Sequence, residues 1–428
     1  CRAFGAPAPG MRHAGLFVAL LASLLPVQAE PPATAGMNTT AGAPIFPEEG
    51  TLWDEQADVV AKRLGLPVES RAPGDASYRL YPPEEARLFG CRPHSVSLSA
   101  REGKPVALNI IFANKGDSVG QFVRTGPGER PRSAAQVLRD YGKAITADDE
   151  ALDAVLGDLL GPAAAEKTGA GGKMQERSRR RDWNGHALQL VSVREEYVAL
   201  RIVPVEEAGD RPRAERMTDQ ELRARLAEHV ERRPNGDVVI RDIPMVDQGP
   251  KGFCVPATME RMLRHLGIPS DMYLLAMAAN TGPGGGTSVA DAVAAVRQTA
   301  QRHGRRVVSV SGRPAGRTVA SWIESGIPVL WAIDTSSSVD DLINRRTRQR
   351  AEVDDWVQWK ESLREARRAA RQLARGAGDG HVCLVTGFNA ETGEIALSDS
   401  WGPGYEERWI TEEEAAAISQ GSMAVVAW

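Results

Sequence analysis

Apolar positions recur along this chain with two different periods. In residues 53–64, 134–145 and 152–160 they fall three to four apart, which predicts helices with one buried face. Residues 94–99 and 106–112 are β-rich and flank the turn Arg101-Glu102-Gly103-Lys104; residues 186–193 and 197–203 flank Arg194-Glu195-Glu196. Each set predicts a hairpin. The first half is therefore expected to be an α+β domain over 51–235, with no catalytic constellation and no assignable role. Residues 161–181 break its pattern with Gly, Ala and the run Arg177, Arg179, Arg180, Arg181, and are expected to form a solvated loop. Gly171-Gly172 lies in this loop but lacks the apolar residues that precede the cut in double-glycine leaders. A short helix over 222–230 and the turn Arg232-Arg233-Pro234-Asn235-Gly236 predict a domain boundary, with a second domain over 236–428.

The second domain opens on a Gly/Pro-rich loop, residues 247–253, that runs into a helical stretch closed by Gly267. Cys254 thus stands at a helix N-terminus, where unpaired backbone amides and the positive dipole end favour thiolate over thiol. Pro256 suits a first helical turn, because its missing N–H loses no helical bond. Gln248, six residues earlier, is placed so that its side-chain amide and the Cys254 N–H could address one developing oxyanion.

A base for that sulfur must be a neutral imidazole able to become cationic, and the chain has seven histidines. His13 lies in the N-terminal apolar segment, and His94, His186 and His229 in the first domain. His265 sits on the cysteine's own helix, roughly 16 Å along its axis. His303 precedes Gly304 at a predicted helix end. His381 remains; it opens a β-rich run, 381–388, that turns at 389–393 and returns over 394–398, so that Asp399 comes back near it. Trp401 could shield their hydrogen bond from water. Cys383 is expected to be core.

Gln248, Cys254 with Ala257, His381 opening a strand, and Asp399-Ser400-Trp401-Gly402 resemble the papain-like cysteine peptidase superfamily, in which glutamine, cysteine, histidine and asparagine or aspartate occur in this chain order. Asp399 in place of the family asparagine, Gly285-Gly286-Thr287 opening a helix, and Ser325 to Val329 entering a strand are most similar to the bacteriocin-processing, double-glycine-leader peptidase branch. The resemblance covers about 185 residues. It implies an α+β peptidase domain, catalytic Cys254, His381, Asp399 and Gln248, hydrolysis through an acyl-enzyme, a protein or peptide substrate, and no cofactor. Two other classes use or retire the same residues: an acyltransferase or transglutaminase-like cross-linking enzyme, and an inactive binding module on a peptidase scaffold. The leader-peptide substrate does not carry over, since no transporter region accompanies the domain. Residues 340–375 look inserted, as an Arg-rich amphipathic helix with apolar positions about 3.5 apart.

Composition bounds these expectations. With 42% apolar and 25% charged residues, a net charge of -4 and a pI near 6.1, the chain has no overall field to recruit nucleic acid. Residues 282–287 lack the Lys of a phosphate loop, and no paired Cys/His spacing implies a metal. Met11, Arg12 and His13 followed by apolar residues 14–27 predict a signal peptide, 1–29, starting at Met11 and cut after Ala29. That predicts export to a periplasmic or extracellular place, with no stable membrane span after removal and a flexible linker over 30–50. Cys91, Cys254 and Cys383 then remain, an odd set that leaves at least one thiol free.

Overall fold

The computed structural model describes residues 32–117, 133–168, 176–208, 217–282, 286–373 and 379–428. The signal-peptide expectation lies outside them. The architecture is mixed, with helices on antiparallel sheets. In the first part, β1 (Val68–Ala72), β2 (Asp75–Leu80), β3 (Ser95–Arg101), β4 (Lys104–Asn114), β5 (Ala164–Thr168), β6 (Glu176–Trp183), β7 (His186–Val193) and β8 (Tyr197–Pro204) form one sheet in the order β1-β2-β3-β4-β8-β7-β6-β5. The strand runs at 106–112 and 197–203 read as almost unbroken apolar residues because both faces are covered. Leu108, Ile110, Phe112, Val198, Leu200 and Ile202 face the helices α1 (Thr34–Ala41), α2 (Ala57–Arg63) and α3 (Ala134–Leu160). Ile111, Val193, Tyr197 and Ala199 pack on the other side against Val246, Phe253 and Tyr273.

Three expectations for this half are corrected. The segment 30–50 is no flexible linker over its described part: α1 buries Met37 and Ala41, and Ile45 and Phe46 follow them into the core. Four apolar residues spaced this widely give little helical signal, so tertiary burial outweighs the poor helix propensity of the Gly, Thr and Asn around them. The helices expected at 134–145 and 152–160 are one continuous α3, opened by a capping box at Ser133 and Gln136. The Arg run is a strand, not a solvated loop. On β6, Arg179 and Arg181 share the face of buried Trp183 and pair with Asp149 and Asp153 of α3. Arginines at period two satisfied by carboxylates on a facing helix look like a solvated charge run in sequence alone.

The second part begins earlier than the turn at 232–236. The helix α4 (Asp219–Glu228) already buries Leu222 and Leu226 in the second core, and 232–236 is the turn of a hairpin between β9 (Val230–Arg232) and β10 (Asp237–Ile240). A turn between domains and a turn within a hairpin share the same local chemistry, and only the pairing of the flanks tells them apart. The other elements are α5 (Cys254–His265), α6 (Met272–Ala278), α7 (Val289–Arg302), β11 (Arg306–Ser309), α8 (Gly316–Ile323), β12 (Val329–Thr335), α9 (Ser337–Ala351), α10 (Trp356–Ala369), β13 (Asp379–Asn389), β14 (Glu394–Ser398), β15 (Arg408–Thr411), α11 (Glu412–Ile418) and β16 (Ser419–Ala427).

The second sheet runs β11-β16-β12-β13-β10-β9, with β14 on the free side of β13 and β15 beyond it. α5, α7 and α8 supply Met259, Leu263, Val296, Val319 and Ile323 to a core against Leu330, Trp331, Leu384 and Val425. The inserted segment is two helices, because Asp355 caps a new N-terminus at α10 through Val357 N and Gln358 N. Two of its arginines pack inward: Arg346 binds Glu414, and Arg350 binds Asp237 and Glu394 while stacking on Trp409. Among the described residues, no helix is long and apolar enough to cross a membrane.

Candidate active site

Cys254 is the first residue of α5, with Phe253 as N-cap. Thr258, one turn on, donates from Oγ1 to Val382 O at 3.1 Å, which fastens the start of α5 to β13. Arg261, buried on the same helix, donates to Pro244 O at 3.1 Å and to Ser398 Oγ at 2.5 Å, which ties it to the end of β14. Helix, strand and return strand thus meet where Cys254, His381 and Asp399 lie.

His381 sits on β13 opposite Ile333 of β12. Its Nε2–H donates to Asp399 Oδ1 at 2.7 Å, and the ring is also hydrogen-bonded to Cys254, which leaves Nδ1 for the sulfur. Trp401 stacks on the imidazole with centroids 4.6 Å apart and rings 29° from parallel. Cys254, His381 and Asp399 are 8%, 5% and 0% exposed, so their interactions act in a medium that screens them weakly.

Burial pushes the Cys254 thiol up, but the hydrogen bond and charge of His381, with the Val382 and Val255 backbone amides, outweigh it and leave the pKa below the ordinary thiol value. Burial likewise disfavours the imidazolium, yet hydrogen bonds to Asp399 and Cys254 and their charges raise His381 to about 9. Desolvation also opposes charge on Asp399; the His381 hydrogen bond and the Arg408 charge overcome it and hold the carboxyl below its usual range. Both shifts favour a thiolate beside an imidazolium. Such a pair can attack a carbonyl and then protonate the group that leaves.

Gln248 lies beside this group in the loop before α5. Its backbone N–H donates to Ser400 O at 2.9 Å, and its Nε2 donates one hydrogen to Lys251 O at 2.9 Å, while its buried Oε1 has no partner among the described residues. The second Nε2 hydrogen is left over. His265 caps Gly326 O at 2.9 Å, His303 is the C-cap of α7, and Cys383 is fully buried with its Sγ on Trp331 O. All three are structural.

Residues 240–420 match the model of a family described as Peptidase_C39 like family. This region is related to the papain-like cysteine peptidases. No curated protein matches the chain. The match takes in Gln248, Cys254, His381 and Asp399 and leaves the first sheet outside it.

Arg408 is a member of the peptidase-like site that sequence reasoning missed. Its Nε donates to Asp399 Oδ2 at 2.9 Å and its Nη2 to the same oxygen, so each carboxylate oxygen has a cationic partner. Asp340 and Asn344 of α9 accept from its remaining nitrogen at 3.4 and 3.2 Å. The signal was the second hairpin: β14 pairs with β15 so that Leu397 stands opposite Arg408, which brings that arginine next to Asp399. Among the described residues, no cluster of His, Cys, Asp and Glu could hold a metal ion.

Proposed function

We propose that the protein is a cysteine peptidase that hydrolyses peptide bonds in a protein or peptide substrate through Cys254, His381 and Asp399. The observation that carries the reading is the buried chain of hydrogen bonds from the sulfur at the α5 N-terminus through His381 to Asp399. The Cys254 thiolate adds to the scissile carbonyl carbon. The resulting oxyanion takes hydrogen bonds from the Cys254 N–H and the second Nε2 hydrogen of Gln248. His381 gives its proton to the leaving amine as the C–N bond breaks, which leaves a thioester on Cys254. The now neutral imidazole takes a proton from water, hydroxide adds to the thioester, and the acid departs as the thiolate and imidazolium are restored. Asp399 holds the ring orientation and the positive charge throughout. The basic start Met11-Arg12-His13 and the apolar run 14–27 support export of this activity to a periplasmic or extracellular place.

The test is a cleavage profile of a peptide library with the mature chain and its Cys254→Ala variant. Product masses should show added water, and every cut should vanish in the variant. Cuts that persist in Cys254→Ala overturn the assignment; products that carry an added amine replace hydrolysis with acyl transfer; a wild-type protein that cuts nothing and whose Cys254 ignores thiol-directed electrophiles points to a binding module.

A further inference from the structure

We infer that the first domain is part of the catalytic apparatus, its β1 and β2 side clamping the loop that carries Gln248, so that Ser70, Glu69, Tyr81 and Asp117 are positioning residues for the oxyanion site. The inference rests on the peptidase reading above and gives the first domain a role in that reaction.

Four contacts converge on seven residues of chain. Ser70 Oγ accepts from Met245 N at 3.0 Å, and Glu69 Oε1 accepts from Asp247 N at 2.8 Å. Tyr81 OH donates to Asp247 O at 2.5 Å. Asp117 Oδ2 accepts from Lys251 Nζ at 2.9 Å, and that ammonium also donates to Tyr273 OH at 3.1 Å and lies 4.5 Å from the Tyr81 ring centre. The backbone at Asp247 is thus gripped from both its N–H and its C=O, immediately before Gln248. Gly249 follows with φ +68°, and a Cβ there would come within 2.6 Å of the Tyr81 ring, so the loop passes that ring at a distance that excludes a side chain. Lys251 is held by its side chain while its carbonyl accepts both from Gln248 Nε2 and from Phe253 N at 2.8 Å.

Grip and orientation are therefore coupled. The atom that orients the Gln248 amide is the carbonyl of a residue whose side chain is fixed by Asp117. Phe253, the N-cap of α5, packs in the same apolar cluster as Ile111, Val193, Tyr197 and Ala199 of the first sheet. The loop's own bonds, from Gln248 Nε2 to Lys251 O and from Gly249 N to Asp247 Oδ1, leave the backbone at Met245 and Asp247 and the Lys251 side chain to be held from outside. The first domain supplies that outside hold, and it acts on the oxyanion side of the site while leaving the His381–Asp399 pair, held by β13 and β14, alone.

The test separates these two sides in the full chain. Alkylation of Cys254 by iodoacetamide needs the thiolate and no oxyanion, whereas acylation by p-nitrophenyl acetate passes through one. Tyr81→Phe keeps the ring over Gly249 and removes the hydrogen bond; Lys251→Met keeps the volume among the aromatic rings and removes the ion pair. Each should slow the p-nitrophenolate burst about tenfold, as loss of positioning does, and leave the alkylation rate within about twofold. Amide hydrogen exchange in 245–253 should quicken about fivefold, the equilibrium weight of one lost hydrogen bond. Unchanged exchange and burst in both variants overturn the inference, as does an equal fall in burst and alkylation, which would mark a structural role alone. A wild-type chain without a Cys254-dependent burst would sink the peptidase reading instead, and exchange would still decide whether the clamp exists.

Discussion

Asp399→Asn tests the electrostatic core of the site. The distance from an ordinary imidazole value of 6.5 to about 9 for His381 corresponds to roughly 3 kcal/mol of net stabilisation of the imidazolium. Burial opposes that charge, so the favourable interactions sum to more than the net. Asp399 supplies the leading one as a hydrogen bond and a further one as a charge, and Cys254 supplies the remainder. If Asp399 carries about half of the net, its amide loses roughly 1.5 kcal/mol of support for the ion pair, and at most about tenfold in the thiolate population, read at pH 6. The assay is the iodoacetamide rate of Cys254 at that pH. The substitution also strips buried Arg408 of its closest acceptor, with Asp340 and Asn344 still near, and should lower stability by roughly 3 kcal/mol. Asp399→Asn combined with Arg408→Gln should recover much of that stability without recovering the alkylation rate. A folded Asp399→Asn protein whose Cys254 reacts at the wild-type rate near pH 6 would refute the reasoning.

Acylation of Cys254 should rise as pH climbs through the depressed thiol value and fall as His381 loses its proton near pH 9, because attack needs the thiolate and departure of the amine needs the imidazolium; a stopped-flow pH profile that keeps rising beyond pH 10 contradicts this. Arg350→Met should lower the unfolding free energy by about 3–5 kcal/mol, since it leaves Glu394 buried without its cation and Asp237 with only the more distant Arg233, at 3.8 Å. Denaturant titration measures it, and a loss under about 1 kcal/mol would show that the α9 insertion is not fastened by this network.

The legible parts of the fold were those whose signals are local. The hairpin of β7 and β8 and that of β3 and β4 could be read because β-rich apolar runs flank short polar turns. The apolar spacing of 134–145 and 152–160 was equally local, but the break expected between them was not there: polar residues on the outer face of α3 hid the continuity. β1, β2 and β6 escaped because they are themselves short or rich in charged and polar residues, so pairing rather than composition makes them strands. In the candidate site, Cys254 and His381 were legible from helix-start chemistry and from elimination among seven histidines, and Asp399 from the return of a hairpin. Arg408 was not, for it needs the register of a second hairpin.

What this sequence determined by itself is chemistry that depends on neighbours within a few residues: a thiol at a helix N-terminus, a glutamine in the loop before it, an imidazole on a strand whose hairpin returns a carboxylate. What tertiary structure decided is everything that crosses the chain. The segment around Met37 and Phe46 became core instead of tether because a sheet stood ready to bury it. The loop at Asp247 to Lys251 acquired its shape from Glu69, Tyr81 and Asp117, which lie more than 130 residues away along the chain. The physical reason is that propensity and turn chemistry act over one or two turns of backbone, whereas burial and hydrogen-bond satisfaction are properties of the finished packing.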